Sequence, residues 1–248
     1  VTEPDAGSDV AGIKTRAVRD GDHYVLTGSK MFITNGVHGD LYFVAAKTDT
    51  TVKGSRGISI FAVEKGTPGF SVGRSLKKTG AELVFDGCRV PAANLIGGEH
   101  KGFYSIMRNF QNERIVLGAQ AMGEAQKALD LTVDYVRNRK AFGAVLWDKQ
   151  TIRQRLAMLS SKVAAGRQLA YHSAWLDAQG QECVKEVSMV KAYCGELVNE
   201  VMYTCQQFHG GMSYVRETAI ERMARDALIQ AIGGGATEVM LEEVAKRI

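Results

Sequence analysis

Residues 101–117 read KGFYSIMRNFQNERIVL, and the period of this stretch decides the architecture. Ile106, Phe110 and Leu117 recur at helical spacing, not at the alternation of a strand. The same period runs on through Leu129, Val133 and Val136, and then through Ile152, Leu156, Leu159 and Val163. A turn at Ala178-Gln-Gly-Gln181 separates these from an apolar run between Val184 and Phe208. A last helix is expected after Gly233-Gly234-Gly235, with Thr237 as its N-cap. Short connections between such segments are those of a helical bundle. The three prolines, Pro4, Pro68 and Pro91, all lie upstream, which fits an uninterrupted helical half.

Upstream of Gly98 the pattern changes. His23–Thr27, Lys30–Thr34, Leu41–Ala45, Ile58–Val63 and Leu83–Phe85 are rich in β-branched and aromatic residues. Turn signals separate them at Asp20-Gly21-Asp22, Asn35-Gly36, Gly54–Gly57, Gly66–Gly69 and Asp86-Gly87. Strands at this spacing without intervening helices imply an antiparallel barrel or sandwich. The expectation is therefore an α+β multidomain chain, with a β domain over 1–98 and a helical domain over 99–248.

The 248 residues are 45% hydrophobic and 23% charged, an ordinary globular composition. A net charge of +4, from 31 basic and 27 acidic residues, is too small and too evenly spread to argue for nucleic acid binding. No apolar run approaches the roughly 20 residues of a membrane span. Cys88, Cys183, Cys194 and Cys205 lack CxxC spacing, which fits buried thiols in a reducing compartment, not a metal site or a secreted disulfide framework.

Glu113 is the first chemical candidate. On a helix, Ile106, Phe110, Glu113 and Leu117 fall within roughly 60° of arc. A carboxylate inside an apolar stripe is expected to be buried and hard to ionise, which suits a general base. The alternative is a structural acid paired to an arginine, and Arg114 lies about 100° round the helix. The loop Thr2–Asp9 and the triglycine 233–235 allow close backbone approach to an anion or a ring edge. No Lys-Ser or Lys-Thr follows the glycines, so they are no Walker loop. His209 reads as a core histidine, since no second His or Cys stands at metal spacing.

These pieces occur together, in order, in one family. VTEPDAGSD at Val1–Asp9, KMFITNG at Lys30–Gly36, RNRKAFGAVL at Arg137–Leu146 with Gln150, QFHGG at Gln207–Gly211 and GATE at Gly235–Glu238 make the chain closely resemble the acyl-CoA dehydrogenases. The resemblance implies a middle β-barrel domain, a C-terminal four-helix bundle, FAD as cofactor and a homotetramer or homodimer. By resemblance Thr2, Ser8, Phe32 and Thr34 line the flavin, and Ser8 also meets the thioester. Arg139, Phe142, Gln150, Gln207 and Gly211 reach the FAD of a neighbouring subunit. Thr237 and Glu238 belong to the loop beside the flavin. Gln111, Arg114, Gly233 and Gly234 are expected on the substrate side.

Three departures carry information. Phe32 stands where tryptophan is usual, and Ala236 where threonine is usual. Gly234 stands where most members carry the glutamate base. The long-chain and isovaleryl-CoA types instead place the base on the helix before an arginine, and Glu113-Arg114 matches that position. Gly233 leaves the pocket wall small, which favours a bulky or branched acyl chain.

The implied reaction is α,β-dehydrogenation of an acyl-CoA to a trans-2-enoyl-CoA, with electrons passed to an electron-transfer flavoprotein, as in β-oxidation. A bacterial cytoplasm or a mitochondrial matrix is the expected location. Rival readings are a non-catalytic remnant that oligomerises or binds acyl-CoA, and a related flavin oxidase or monooxygenase. By resemblance an N-terminal helical domain is expected ahead of the segment that begins at Val1. A Ser-Asp-containing loop that contacts CoA is expected where Lys77-Lys78-Thr79-Gly80 runs directly into Ala81. The sequence is therefore expected to be part of a longer protein, and its length to represent roughly two-thirds of a three-domain dehydrogenase.

Overall fold

The computed structural model describes residues 1–78 and 80–248. Thr79, within the junction singled out above, lies outside the described residues. The chain divides into two compact units, Val1–Asn109 and Phe110–Ile248.

The first unit is built on seven strands: β1 (Arg16–Asp20), β2 (His23–Ile33), β3 (Leu41–Lys47), β4 (Ile58–Glu64), β5 (Phe70–Ser75), β6 (Ala81–Pro91) and β7 (Leu95–Ile96). Their order in the sheet is β5-β6-β2-β1-β3-β4-β7. Neighbours pair antiparallel except β1 and β3, which meet in parallel through Arg16 and Lys47. Inward residues alternate along each strand, as the pleat requires: Tyr24 and Leu26 on β2, Tyr42 and Val44 on β3, Phe61 and Val63 on β4, Leu83 and Phe85 on β6. The expected closed barrel is corrected to an open sheet. Its edges are β5 and β7, which do not pair among the described residues, and β7 has only two residues with which to close a ring.

Two segments read from sequence as separate strands, His23–Thr27 and Lys30–Thr34, are one strand. Irregularities between Leu26 and Gly28 and between Lys30 and Ile33 let β2 bend without breaking its pairing with β6. At the junction of β5 and β6, the amide of Leu76 donates to the carbonyl of Gly80 at 3.1 Å.

The second unit holds most of α1 (Gly102–Asn138), then α2 (Gln150–Ala178), α3 (Val184–His209), α4 (Ala219–Ala227) and α5 (Thr237–Ala245). A small hairpin of β8 (Lys140–Ala141) and β9 (Ala144–Val145) links α1 to α2. Leu156, Leu159 and Val163 of α2 pack with Val190, Cys194, Leu197 and Val201 of α3 and with Met122, Ala125 and Leu129 of α1. Where four helices are expected, the described residues form three long helices and two of nine residues each. The final segment is divided by a 3-10 turn at Leu228–Ala231 and by the glycines after it. The four cysteines are free and buried, as the sequence implied.

Candidate active site

The glycine loop of the second unit is held by α1. Nε of Arg114 donates to the carbonyl of Gly234 at 3.0 Å. The Arg114 guanidinium carbon lies 5.6 Å from the centre of the Phe110 ring, within cation–π range. Burial lowers the pKa of Arg114, and the Glu243 and Glu113 carboxylates oppose the shift. Gly234 has φ +71°, a left-handed conformation that L side chains avoid. A Cβ there would also lie 2.5 Å from Cδ1 of Leu117. At Gly233 a Cβ would come no closer than 3.4 Å, to Ile229.

Glu113 is exposed, which corrects the burial expected from the apolar stripe. The face that α1 turns to the core of the second unit runs through Ile115, Gly118, Met122 and Ala125. That face lies roughly 120–200° round the helix from Glu113 at 100° per residue. Gly118 and Ala125 dilute it with small residues, so it is faint in a search for large apolar side chains. A Cβ on Gly118 would lie 2.2 Å from Cγ1 of Val190, which shows how closely α3 approaches there. Glu113 therefore stands beside Arg114 on the open side of α1.

Gln111 is engaged elsewhere. Its Nε2 donates to Oδ1 of Asp177 and Sγ of Cys183, both at 3.1 Å, and so ties α1 to the α2–α3 turn instead of to the glycine loop. Thr237 is not the N-cap of α5; Ala236 holds that position, with no side-chain cap. The Thr237 hydroxyl instead donates to the carbonyl of Ala231 at 3.4 Å, inside the turn before the loop. Glu238 follows, exposed in the first turn of α5.

The hairpin between α1 and α2 presents an unusual residue. Ala141 pairs with Ala144, so Phe142 and Gly143 form the two-residue turn, at φ +53° and +78°. Two positive φ values match a primed hairpin turn, which ordinarily takes Asn-Gly. Phe142 is instead an aromatic residue in a strained conformation and is 93% exposed. Arg139 enters this hairpin and Gln150 starts α2, both exposed. Gln207 is exposed near the end of α3, and Gly211 lies in the 3-10 turn beyond it. His209 is a core residue: its Nδ1 lies 2.9 Å from the carbonyl of Cys205, and its ring stacks on Tyr135.

In the first unit, the loop carrying Thr2 and Ser8 is fixed by residues that motif reading passed over. Glu3 and Lys30 form a buried ion pair at 2.6 Å. Glu3 also accepts from the amides of Lys14 at 2.5 Å and Thr15 at 3.0 Å. Burial works to raise the pKa of Glu3, and the hydrogen bonds from Lys30, Thr15 and Lys14 outweigh it, leaving the carboxyl below its ordinary range. Lys30 further donates to the carbonyl of Val1, and the amide of Met31 to that of Thr2 at 2.9 Å. The loop thus lies against β2, leaving Ser8 exposed. The sequence held one signal for this, a lysine within the inward-facing series of a strand. Just beyond Lys30, Phe32 has φ +58° and is 66% exposed, with Thr34 exposed two residues on. Both phenylalanines singled out by motif are therefore solvent-facing and strained.

Comparison with known proteins follows the same division. Residues 1–87 match the acyl-CoA dehydrogenase middle domain and residues 100–248 the acyl-CoA dehydrogenase C-terminal domain. An acyl-CoA dehydrogenase of Bacillus subtilis is 39% identical over 252 residues, covering 99% of this chain and 66% of that protein. The mitochondrial isovaleryl-CoA dehydrogenase of Pongo abelii is 39% identical, covering 96% of this chain and 58% of that protein. The chain thus spans somewhat less than two-thirds of these curated relatives. Among solved structures, an acyl-CoA dehydrogenase from Geobacillus kaustophilus superposes with a TM-score of 0.97 at 43% identity, covering 99% of this chain and 67% of that one. A structure described as the electron transferring flavoprotein of Acidaminococcus fermentans matches with a TM-score of 0.96 at 38% identity, covering 99% of this chain and 66% of that one. The chain belongs to the acyl-CoA dehydrogenase family.

Proposed function

We propose that the protein oxidises an acyl-CoA thioester to the trans-2-enoyl-CoA, with FAD as oxidant and an electron-transfer flavoprotein as acceptor. The observation that carries this reading is the pairing of Glu113-Arg114 with a glycine at 234. Arg114 fixes the loop from which most members supply their base, Gly234 supplies no carboxylate, and Glu113 stands next to that arginine in the open. The family description, and relatives named for acyl-CoA substrates, support the chemistry.

The residues suit a flavin. Phe32, at an irregularity in β2, and Phe142, in a hairpin turn, are aromatic rings offered to solvent from strained backbone, a cost that folding alone does not explain. The Thr2–Ser8 loop, held by the Glu3–Lys30 pair, supplies backbone and hydroxyl groups for polar recognition. Thr2, Ser8, Phe32 and Thr34 would hold FAD within one subunit. Arg139, Phe142, Gln150, Gln207 and Gly211 would reach it from a second, in a homodimer or homotetramer. Thr237 and Glu238 would stand beside it. When bound, FAD supplies the two-electron oxidant for the β C–H bond.

The protein's own part is acid–base and electrostatic. Backbone groups of the 233–235 loop hydrogen-bond the thioester carbonyl, which acidifies the α-carbon. Glu113 removes the α-proton and retains it on its carboxyl until product leaves. Arg114 holds the glycine loop and Gln111 fixes the α1 backbone through Asp177 and Cys183, while Ser8 is assigned to the thioester by resemblance. The small wall at Gly233 fits a bulky or branched acyl chain. The site of action is a bacterial cytoplasm or a mitochondrial matrix, and the functional boundary between the domains falls near Gly98. Anaerobic titration of the purified protein with a panel of acyl-CoAs tests the reading. Bleaching of a flavin spectrum by a branched or long acyl-CoA is expected. A colourless protein, or a flavin that no acyl-CoA reduces, would overturn it.

A further inference from the structure

A buried ammonium lies against the glycine loop, and the chemistry above makes no use of it. Lys191, on α3, is 1% exposed. Its Nζ donates to the carbonyl of Gln230 at 2.6 Å and to that of Gly235 at 3.0 Å. These carbonyls lie at the two ends of the segment 230–235. Arg114 takes the carbonyl of Gly234 from α1. Two cations thus hold three carbonyls of one short loop. No peptide bond among the described residues is cis, so each N–H points opposite to the C=O of its own peptide plane. The amides of Ala231, Gly235 and Ala236 are therefore turned away from the cations.

The surroundings serve the same arrangement. Gly195 sits one helical turn beyond Lys191, and a Cβ there would lie 2.6 Å from the Gln230 carbonyl oxygen. Glycine at 195 is what allows the segment to come within reach of the ammonium. The Gln230 side chain is tied to α1, its Nε2 donating to Oε1 of Glu124 at 3.3 Å, and Glu124 accepts from Gln120 at 2.8 Å. A lysine that merely filled space would be less costly as methionine, since burying an ammonium forfeits its hydration. Burial, with Arg114 nearby, brings its pKa down to about 8.

We propose that Lys191 is a positioning residue for the dehydrogenation: it clamps Gln230 and Gly235 so that the amides of Gly235 and Ala236 are aimed at the acyl thioester. With Arg114 it also places positive charge behind those peptides, which strengthens their N–H groups as donors. The inference rests on the acyl-CoA reading of the same site.

The test compares wild type with Lys191→Met, Lys191→Gln and Gly195→Ala. Gly195→Ala keeps the charge and displaces the backbone at Gln230 and Ala231. Three readouts are taken: hydrogen exchange of amides 231–236 without substrate, kcat and KM per flavin-loaded protein, and the infrared carbonyl stretch of bound enoyl-CoA. Lys191→Met is expected to speed loop exchange and to lower kcat about tenfold to a hundredfold, with KM changed less than about threefold. The carbonyl stretch should move back toward its value in free solution. Lys191→Gln should fall between, and Gly195→Ala should reproduce the signature if Lys191→Met fails to fold. Unchanged loop exchange, or a kcat per loaded protein that stays at the wild-type value, would overturn the role. Failure of wild type to reduce its flavin with any acyl-CoA would instead sink the underlying reading, and the exchange arm would still judge the clamp.

Discussion

Nε of Arg114 and the carbonyl of Gly234 are joined by a 3.0 Å hydrogen bond that spans 120 residues of sequence. It ties the helix carrying Glu113 to a loop whose backbone only glycine adopts without strain. Gly234→Ala should cost roughly 1–2 kcal/mol for the left-handed residue, before Leu117 shifts to admit the methyl. Gly233→Ala, where φ is not positive and the nearest atom is 3.4 Å away, should range from neutral to about 1 kcal/mol more stable. Urea denaturation of the two variants measures the contrast.

Lys30→Met should destabilise the protein by about 3–5 kcal/mol, because it leaves Glu3 as a buried charge without its cation. The same pair shapes the acid limb of stability. The folded pKa of Glu3 is depressed, so its contribution is complete above the unfolded value of about 4.3 and is lost as pH falls through the folded one. Glu3→Gln should therefore show a shallower loss of stability below about pH 4 than wild type in chemical denaturation across pH.

Relief of strain at Phe142 should separate stability from function. Phe142→Gly accepts φ +53° freely and removes an exposed ring, so the melting temperature should hold or rise, by up to about 1 kcal/mol in stability. Affinity for FAD should fall. Flavin retention after dialysis, set beside thermal melts of the FAD-free protein, distinguishes the two effects.

Lys191 predicts an alkaline signature with the same slope as that of Glu3, stability rising with pH, because both folded pKa values are depressed. Its folded pKa is about 8 against an ordinary 10.5, so the unfolded chain holds more protons between those values. Folding stability contributed by this group should rise with pH across that window. Lys191→Met should lose that rise, read as the difference in unfolding free energy between pH 7.5 and pH 10.

The division into a strand-rich and a helix-rich half was legible because the two periods differ and the prolines stop at Pro91. The helix from Val184 was legible too, since α3 buries a broad face. β1 and β5 escaped because most of their residues are exposed, and any alternation rests on one or two inward residues. Glu113 is legible by position beside Arg114, but its exposure is not, because Gly118, Ala121 and Ala125 interrupt the large side chains on the core face of α1. Lys30 and Lys191 were overlooked because a lysine in an apolar series reads as a surface interruption until its carboxylate or carbonyl partners are in view.

The role of Glu113 is tested most directly by anaerobic stopped-flow reduction of the FAD-loaded Glu113→Gln variant with a substrate acyl-CoA. The variant keeps the shape of the side chain and removes only its ability to take a proton. Flavin reduction should slow by about 10²–10⁴-fold while acyl-CoA still binds. Reduction at the wild-type rate would contradict Glu113 as the base.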